Sequence, residues 1–172
     1  WLAAHASDPD LVILHVGNRA QYDSGHVAGA RLVTLNELSL PQVEGGLTLQ
    51  MGTVDQLTTW ARSNGIGDKS RVVIVPHDEN LQSATRVFIT MAYLGAFDRT
   101  SVLDGSFKAW KAENRAVTKD AAPPARAVTF TAKPRPELIA TLAQVEAIAK
   151  DSGRTNLIDA RLPRFYNGDG GG

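Results

Sequence analysis

Short apolar runs alternate with amphipathic stretches along the first two thirds of the chain. Each run is four or five residues long, and the first follows the turn signal Asp8-Pro9-Asp10. The pattern predicts strands at residues 11–14, 31–34, 71–75 and 100–103. The run at 71–75 has the strongest strand character, because four of its five residues are Val or Ile.

Between these runs, apolar positions recur at helical spacing. Thr53 can cap a helix in which Gln56 reaches back as the capping-box partner, and Asn64-Gly65 then ends that helix. A second helix is predicted to begin at Ser83, and a third, short helix covers residues 106–113.

Strands that alternate with helices indicate an α/β fold, with a mostly parallel sheet flanked by helices. Sheets of this kind bind ligands at the carboxyl ends of their strands, where loops lead into helix N-termini. The loop at residues 76–82 follows the strongest predicted strand and precedes a predicted helix. It is therefore the candidate site.

The composition changes after residue 120, where alanine and proline become frequent. We interpret residues 1–120 as one domain and residues 121–138 as a Pro/Ala-rich linker that contributes little to a hydrophobic core. Residues 139–172 would then be the truncated beginning of a second copy of the domain. An offset of 144 residues supports the repeat, since it places His15 against Asp159. The two copies are thus expected to share one fold.

The second copy opens with the same signals as the first. Thr141 and Gln144 form another capping box, and residues 156–160 are a candidate for a buried strand. Tyr166, which the same offset pairs with a tyrosine of the first copy, is expected to be a packing residue. Because one strand and one helix cannot bury a core alone, we expect the parent chain to continue beyond Gly172.

Charge and cysteine content narrow the possible functions. Lys and Arg together number 18, as do Asp and Glu, so the formal net charge is zero. The charge therefore gives no reason to expect binding to nucleic acid or to an anionic membrane surface. No apolar stretch approaches the ~20 residues of a membrane span. We expect a soluble protein, either cytoplasmic or periplasmic and exported, because a signal peptide could have preceded Trp1. The 172 residues contain no cysteine, which excludes disulfides and thiolate metal sites within them.

Two motifs resemble a known family. Residues 22–30 are similar to the pattern Y-x-x-G-H-I-x-G-A of rhodanese-type sulfurtransferases, and residues 102–110 are similar to that family's L-D-G-G-x-x-x-W. Residues 157–161 resemble the L-I-D-x-R opening of a further rhodanese domain, so the whole resembles the first part of a tandem member. The motif residues expected to have structural roles are Gly25, His26, Gly29, Asp104, Gly105, Trp110, Asp159 and Arg161.

The resemblance implies a two-step transfer of sulfur without a cofactor. A cysteine thiolate takes sulfane sulfur from thiosulfate or 3-mercaptopyruvate and then passes it to cyanide or to a thiol acceptor. Backbone N–H groups of a loop that ends at a helix N-terminus would hold the anion. The implied partners are small sulfur compounds and a second rhodanese domain in cis.

The family's cysteine would fall at or next to Pro76, where this chain has no thiol. The loop consists instead of Pro76, His77, Asp78, Glu79, Asn80, Leu81 and Gln82, and its two carboxylates would repel an anionic donor. The first copy also has His15 where the family has the aspartate of D-x-R, whereas the second copy keeps Asp159 and Arg161. We therefore expect a non-catalytic first half, with the reacting cysteine in the second domain.

The sequence also suggests roles for several single residues. His77 is the best candidate for residual chemistry in the loop. A metal site built from His77, Asp78 and Glu79 is not expected, because three adjacent residues on one loop rarely converge on one ion. His26 is expected to tie loops together through its ring nitrogens, and Trp110 to anchor the core. Arg86 is either an anion-orienting group or an ordinary solvated or ion-paired arginine. Asp159 and Arg161 would pair to buttress the second domain.

Two other functions remain possible from the sequence. The chain could be an enzymatically inactive rhodanese-homology module used for binding or regulation. A parent chain that continues into a cysteine-containing loop would argue against this alternative. It could also be related to phosphatases of the same superfamily, but that chemistry again requires a loop cysteine.

Overall fold

A computed structural model describes residues 1–151 and 155–169. The chain divides into two compact units, Trp1–Arg135 and Pro136–Gly172. In the first unit, four parallel strands form one sheet in the order β2-β1-β3-β4. Their bounds are β1 Leu11–Val16, β2 Arg31–Val33, β3 Arg71–Pro76 and β4 Thr100–Val102. All four strands coincide with the predicted runs to within two residues, and the parallel α/β architecture is confirmed.

Five helices accompany this sheet and two lie in the second unit. The bounds in the first unit are α1 Leu2–His5, α2 Arg19–Ser24, α3 Val54–Ser63, α4 Gln82–Tyr93 and α5 Ser106–Ala112; those in the second are α6 Leu142–Lys150 and α7 Pro163–Tyr166. Short 3-10 turns cover Leu35–Leu38, Phe97–Arg99 and Pro136–Leu138. The capping boxes predicted before α3 and α6 are both formed, and Asn18 with Gln21 forms a third before α2. No helix among residues 1–151 and 155–169 is both long and apolar enough to span a bilayer.

Both faces of the sheet are buried, as expected for parallel strands. Alternate side chains of β3 point to opposite faces. Val72 and Ile74 belong to one apolar cluster, which includes Leu57 and Trp60 of α3 and Val87 and Met91 of α4, whereas Val73 and Val75 belong to the other, with Phe107 and Trp110 of α5. The carboxyl ends of β1, β2 and β3 are in register, because Val16 is opposite both Val33 and Pro76. The loops that follow these strands therefore emerge side by side.

The alanine- and proline-rich segment differs from the sequence-based expectation. The first compact unit extends to Arg135, and Phe130 within the segment is fully buried in the cluster beneath α3 and α4. Arg62 donates a hydrogen bond from Nη2 to the Phe130 carbonyl at 2.9 Å. The segment forms no helix or strand before Pro136. It nevertheless contributes to the core, because the ring of Phe130 is buried there.

Two predictions for the second unit are wrong in this structure. Residues 156–160 form no strand, and Ile158 is 85% exposed. Tyr166 is 69% exposed rather than packed. A strand requires a neighbouring strand for its backbone hydrogen bonds, and none is present in the described part of this unit. The sequence also predicts a turn at Ser152 and Gly153, and these two residues lie outside the described part of the chain.

Candidate functional site

A cavity of about 430 Å³ lies at the carboxyl edge of the sheet, where the loops after β1, β2 and β3 meet. Cavities of this size accommodate small molecules. The lining residues come from the ends of the strands, from the two loops after β1 and β2, and from the loop and first turn of α4: Val16, Gly17, Asn18, Gln21, Val33, Thr34, Leu35, Asn36, Pro76, His77, Asp78, Asn80, Ser83 and Ala84. The predicted loop thus forms one wall of the site.

Hydrogen bonds within the loop hold it in place. The His77 N–H donates to the Val16 carbonyl at 3.0 Å, which continues the pairing of β3 with β1. Asp78 Oδ1 accepts from the Asn80 N–H at 2.9 Å, and Asn80 Oδ1 accepts from the Gln82 N–H at 3.2 Å. Two backbone donors that could have faced an anion are therefore already bonded to the loop's own side chains.

The remaining loop residues have different environments. Glu79 forms an exposed ion pair with Lys108 at 3.0 Å and does not line the cavity. Leu81 is 48% exposed. Of the residues that line the cavity, Asp78 is the one that carries a formal charge independent of histidine protonation. The site consequently favours neutral or cationic groups over anions.

His15 and His77 form a pair behind the cavity wall. Their Nε2 and Nδ1 atoms lie 3.2 Å apart. His15 is fully buried, with its ring 5.6 Å from that of Tyr22, 6.3 Å from that of His26 and 5.4 Å from that of Phe107. Burial lowers the pKa of His15 to about 4, and repulsion from the charged forms of His77 and His26 adds to this. His15 is therefore uncharged at neutral pH.

His77 approaches β1 closely because residue 17 is glycine. A Cβ at Gly17 would lie 3.3 Å from the Cβ of His77 and 2.8 Å from Oε1 of Gln21. That Gln21 oxygen accepts the Asn18 N–H in the capping box of α2. A side chain at position 17 would thus disturb both the histidine and the helix start.

The Gly-His motif fastens the end of the domain to its beginning. The His26 ring places Nδ1 2.9 Å from the Tyr22 carbonyl oxygen and Nε2 3.0 Å from the Asp120 carbonyl oxygen. Because a carbonyl oxygen only accepts, a neutral ring donates to one of these two oxygens and a protonated ring donates to both. Gly25 has φ of +146°, and a Cβ there would lie 2.9 Å from Val117 Cγ1, so only glycine fits beneath the returning segment.

The other motif residues lie away from the cavity. Gly29 is in the turn before β2, and Asp104 with Gly105 forms the turn into α5. Trp110 is buried, and its Nε1–H donates to the Ala116 carbonyl at 2.9 Å. In the second unit, Arg161 Nη2 lies 2.5 Å from Asp159 Oδ2. Hydrogen bonds from Arg161 lower the pKa of Asp159 to about 2.

Arg86 is partly buried on α4. It does not line the cavity. Its Nε and Nη2 atoms are buried and have no hydrogen-bond partner within the described part of the chain. Burial lowers its pKa. The anion-orienting role of Arg86 stays a prediction.

Sequence reasoning missed several residues of the site. Asn18 and Gln21 after β1, and Thr34 and Asn36 after β2, line the cavity but were not singled out. The parallel register contained the necessary signal, since the carboxyl ends of neighbouring strands meet at one edge. Metal binding finds no support in the described residues, where no three His, Cys, Asp or Glu side chains converge.

Comparison with known proteins agrees with the two motifs. The family model of the rhodanese-like domain matches residues 1–113. The chain is 32% identical to a probable 3-mercaptopyruvate sulfurtransferase of Pseudomonas aeruginosa, covering 95% of this chain and 61% of that protein. It is 26% identical to the thiosulfate sulfurtransferase of Azotobacter vinelandii, covering 98% and 60%. The chain therefore spans about three fifths of the length of these two relatives.

The fold agrees as well. The crystal structure of the 3-mercaptopyruvate sulfotransferase SseA from Escherichia coli superposes with a TM-score of 0.85 at 23% identity, covering 98% of this chain and 66% of that one. A likeness at this identity establishes the fold alone. Because the model of the rhodanese-like domain matches residues 1–113, more than half of the sequence, the chain belongs to the rhodanese-like domain family.

Proposed function

We propose that this chain is the non-catalytic N-terminal part of a rhodanese-type sulfurtransferase. The whole protein would transfer sulfane sulfur from thiosulfate or 3-mercaptopyruvate to cyanide or a thiol acceptor. The thiol that carries the sulfur would belong to a second rhodanese-like domain in cis, outside these 172 residues. The names of the relatives support the choice of donors.

The loop after β3 is the observation that carries the proposal. It occupies the edge of the sheet where this fold class binds ligands, yet it contains no thiol. Asp78 turns its carboxylate onto the loop N–H of Asn80, a donor that an anionic substrate or a thiolate would need. The site therefore lacks the nucleophile, and one of the backbone N–H groups that could stabilise a bound anion is already occupied by Asp78.

The chemistry makes the missing thiol decisive. A thiolate attacks the outer sulfur of thiosulfate, a sulfur–sulfur bond forms, and sulfite leaves with the electron pair of the bond that breaks. Cyanide then attacks the terminal sulfur of the persulfide, which yields thiocyanate and returns the thiolate. Histidine and carboxylate side chains cannot replace a thiolate as the sulfur carrier in this pair of displacements.

The first test combines intact mass with a thiosulfate–cyanide assay on the protein purified from its natural source. We expect a mass well above 18.4 kDa and thiocyanate formation that alkylation with iodoacetamide abolishes. A mass of 18.4 kDa without turnover would replace the proposal by a binding module. Turnover at 18.4 kDa would refute it, because the chain would then transfer sulfur without a thiol.

A second test addresses the loop itself. In the variant His77→Cys, the introduced thiol lies next to Asp78, so repulsion between the carboxylate and the thiolate should slow alkylation at neutral pH. The matched variant His77→Cys with Asp78→Asn removes that charge at almost constant volume. We expect faster alkylation in the double variant; equal rates in both would show that Asp78 does not oppose an anion here.

A further inference from the structure

The sequence contains two Asn-Gly pairs, Asn64-Gly65 and Asn167-Gly168. Asparagine followed by glycine is prone to deamidation, because glycine has no side chain to hinder the attack of its backbone nitrogen on the asparagine amide. The reacting groups of the two pairs are identical. A difference in their reactivity therefore has to come from the structure that surrounds each pair.

Deamidation proceeds through a cyclic imide. The glycine nitrogen loses its proton to solvent and attacks the asparagine Cγ, and a carbon–nitrogen bond forms. Ammonia leaves with the electron pair of the side-chain bond that breaks, and it takes up a proton. Water then opens the imide at either of its two carbonyl groups, which yields aspartate or isoaspartate.

Both pairs have to change conformation before the attack. The ψ angle is 6° at Asn64 and −6° at Asn167. At ψ near zero, the glycine nitrogen eclipses the backbone nitrogen of the asparagine and does not lie near Cγ. The rate of the reaction consequently depends on how readily each turn opens, and local opening costs little where few apolar side chains are buried.

Asn64 is held by the end of α3. Its Nδ2 donates to the Trp60 carbonyl at 3.0 Å, and the Gly65 N–H donates to the Arg62 carbonyl at 2.9 Å. The following residue, Ile66, is fully buried. Rotation at Asn64 would break both hydrogen bonds and displace a core side chain.

Asn167 lies in a much less constrained turn. It follows α7, in which no residue is buried, and no residue in the described part of the second unit is buried either. The Asn167 side chain is exposed and makes no hydrogen bond to a described residue. The Gly168 N–H donates to the Phe165 carbonyl over a longer distance, 3.3 Å. Opening of this turn therefore requires no loss of buried surface.

We propose that Asn167 is a site of spontaneous deamidation, at which water converts the side-chain amide to aspartate and isoaspartate, and that the fold protects Asn64. Breaking the two hydrogen bonds at Asn64 and Gly65 slows that pair by about thirtyfold relative to Asn167. The proposal is independent of the proposed sulfur transfer and of where the sulfur-carrying thiol lies.

The modification changes both the charge and the backbone of this turn. Either product adds one negative charge, and isoaspartate also adds a methylene group to the main chain. The turn is held by the Asn167 N–H, which donates to the Pro163 carbonyl at 2.9 Å, and by the Asp169 N–H, which donates to the Arg164 carbonyl at 2.8 Å. A longer main chain between these two donors cannot keep both bonds, so formation of isoaspartate loosens the turn after α7.

The test is a time course of the unmodified 172-residue chain at pH 7, with both pairs followed in the same molecule. Peptide mass spectrometry measures the replacement of the amide by an acid, and electron-transfer fragmentation distinguishes aspartate from isoaspartate. We expect Asn167 to react about thirtyfold faster than Asn64, to give both products, and to lose this advantage in urea. Similar rates at the two pairs in the folded chain, a faster reaction at Asn64, or aspartate as the sole product would overturn the proposal.

Two glycine variants test whether the Gly168 nitrogen is the attacking group. Gly168→Ala places a methyl group beside that nitrogen and should slow the reaction at Asn167 while leaving Asn64 unchanged. Gly45→Ala is the matched control, because both glycines have positive φ, +85° and +70°, and an added Cβ meets no atom within 4 Å at either position. Gly45 follows Glu44, so this control should leave the rate at Asn167 unchanged. An unchanged rate at Asn167 in Gly168→Ala, or an equal decrease in both variants, would refute the imide route.

Discussion

His15 should make the stability of the domain fall as the pH is lowered. Its pKa in the folded chain is about 4, against an ordinary value of 6.5. Between these two values the unfolded chain binds a proton at His15 that the folded chain does not. Acidification therefore favours unfolding throughout this window, and the contribution of His15 is lost once the pH has fallen to about 4.

The size of the effect follows from the shift. The difference between 6.5 and about 4, at roughly 1.36 kcal/mol for each pKa unit, corresponds to about 3 kcal/mol of unfolding free energy. His15 is fully buried, so solvent screening does not reduce this value substantially. The titratable groups that face it are His77, His26 and Tyr22. Because their own titration also contributes, the effect of His15 has to be isolated by a variant.

Urea unfolding at pH 7, 6, 5 and 4, followed by tryptophan fluorescence, measures the effect. Trp60 and Trp110 are buried and report on the core. We expect His15→Leu to be about 3 kcal/mol less sensitive to this pH change than the unmodified chain. His5→Leu, which alters an exposed histidine, should keep the full sensitivity. If His15→Leu and the unmodified chain lost the same free energy, the assignment of a buried neutral His15 would be refuted.

Two further substitutions test how the core is built. Phe130→Ala should lower the unfolding free energy by about 3–5 kcal/mol, because the ring is fully buried. The control Phe97→Ala, at a site that is 49% exposed, should lower the unfolding free energy far less. Similar decreases in both variants would mean that the Pro/Ala-rich segment does not belong to the domain. Arg86→Met should leave stability unchanged or raise it by about 1 kcal/mol, because it removes a desolvated charge that lacks a partner in the described residues. Arg62→Met removes the hydrogen bond to the Phe130 carbonyl and should lower the unfolding free energy by about 1 kcal/mol. Urea unfolding of both variants measures the two effects. A larger decrease in Arg86→Met than in Arg62→Met would contradict the prediction for Arg86.

The elements that the sequence predicted correctly depend on local signals. The run at 71–75 is strand-like by composition, and Thr53 with Gln56 encodes a helix start within four residues. Parallel packing then follows from the alternation of strands and helices. For this reason the position of the loop at 76–82 could be predicted without any knowledge of tertiary contacts.

The errors and omissions arise where distant residues meet. His15 contacts His77 across 62 positions, and Arg62 reaches the Phe130 carbonyl across 68. Nothing in the local sequence at Phe130 distinguishes an aromatic residue in a linker from one in a core. Residues 156–160 illustrate the opposite error, because a β-rich composition does not produce a strand unless a partner strand is present to complete its hydrogen bonds.

The cavity is a consequence of the sheet rather than of sulfur chemistry. Register places the ends of β1, β2 and β3 at one edge, and a concavity forms there whatever side chains the following loops carry. The concavity is thus present here without a thiol in the loop after β3, and the His15–His77 pair lies beside it. Membership of the family establishes the scaffold, whereas the activity of each domain has to be argued from the residues at its own edge. In this domain the residues at that edge include His77 and Asp78, and none of the 172 residues is a cysteine, which is why we propose that the sulfur-carrying thiol lies elsewhere in the whole protein.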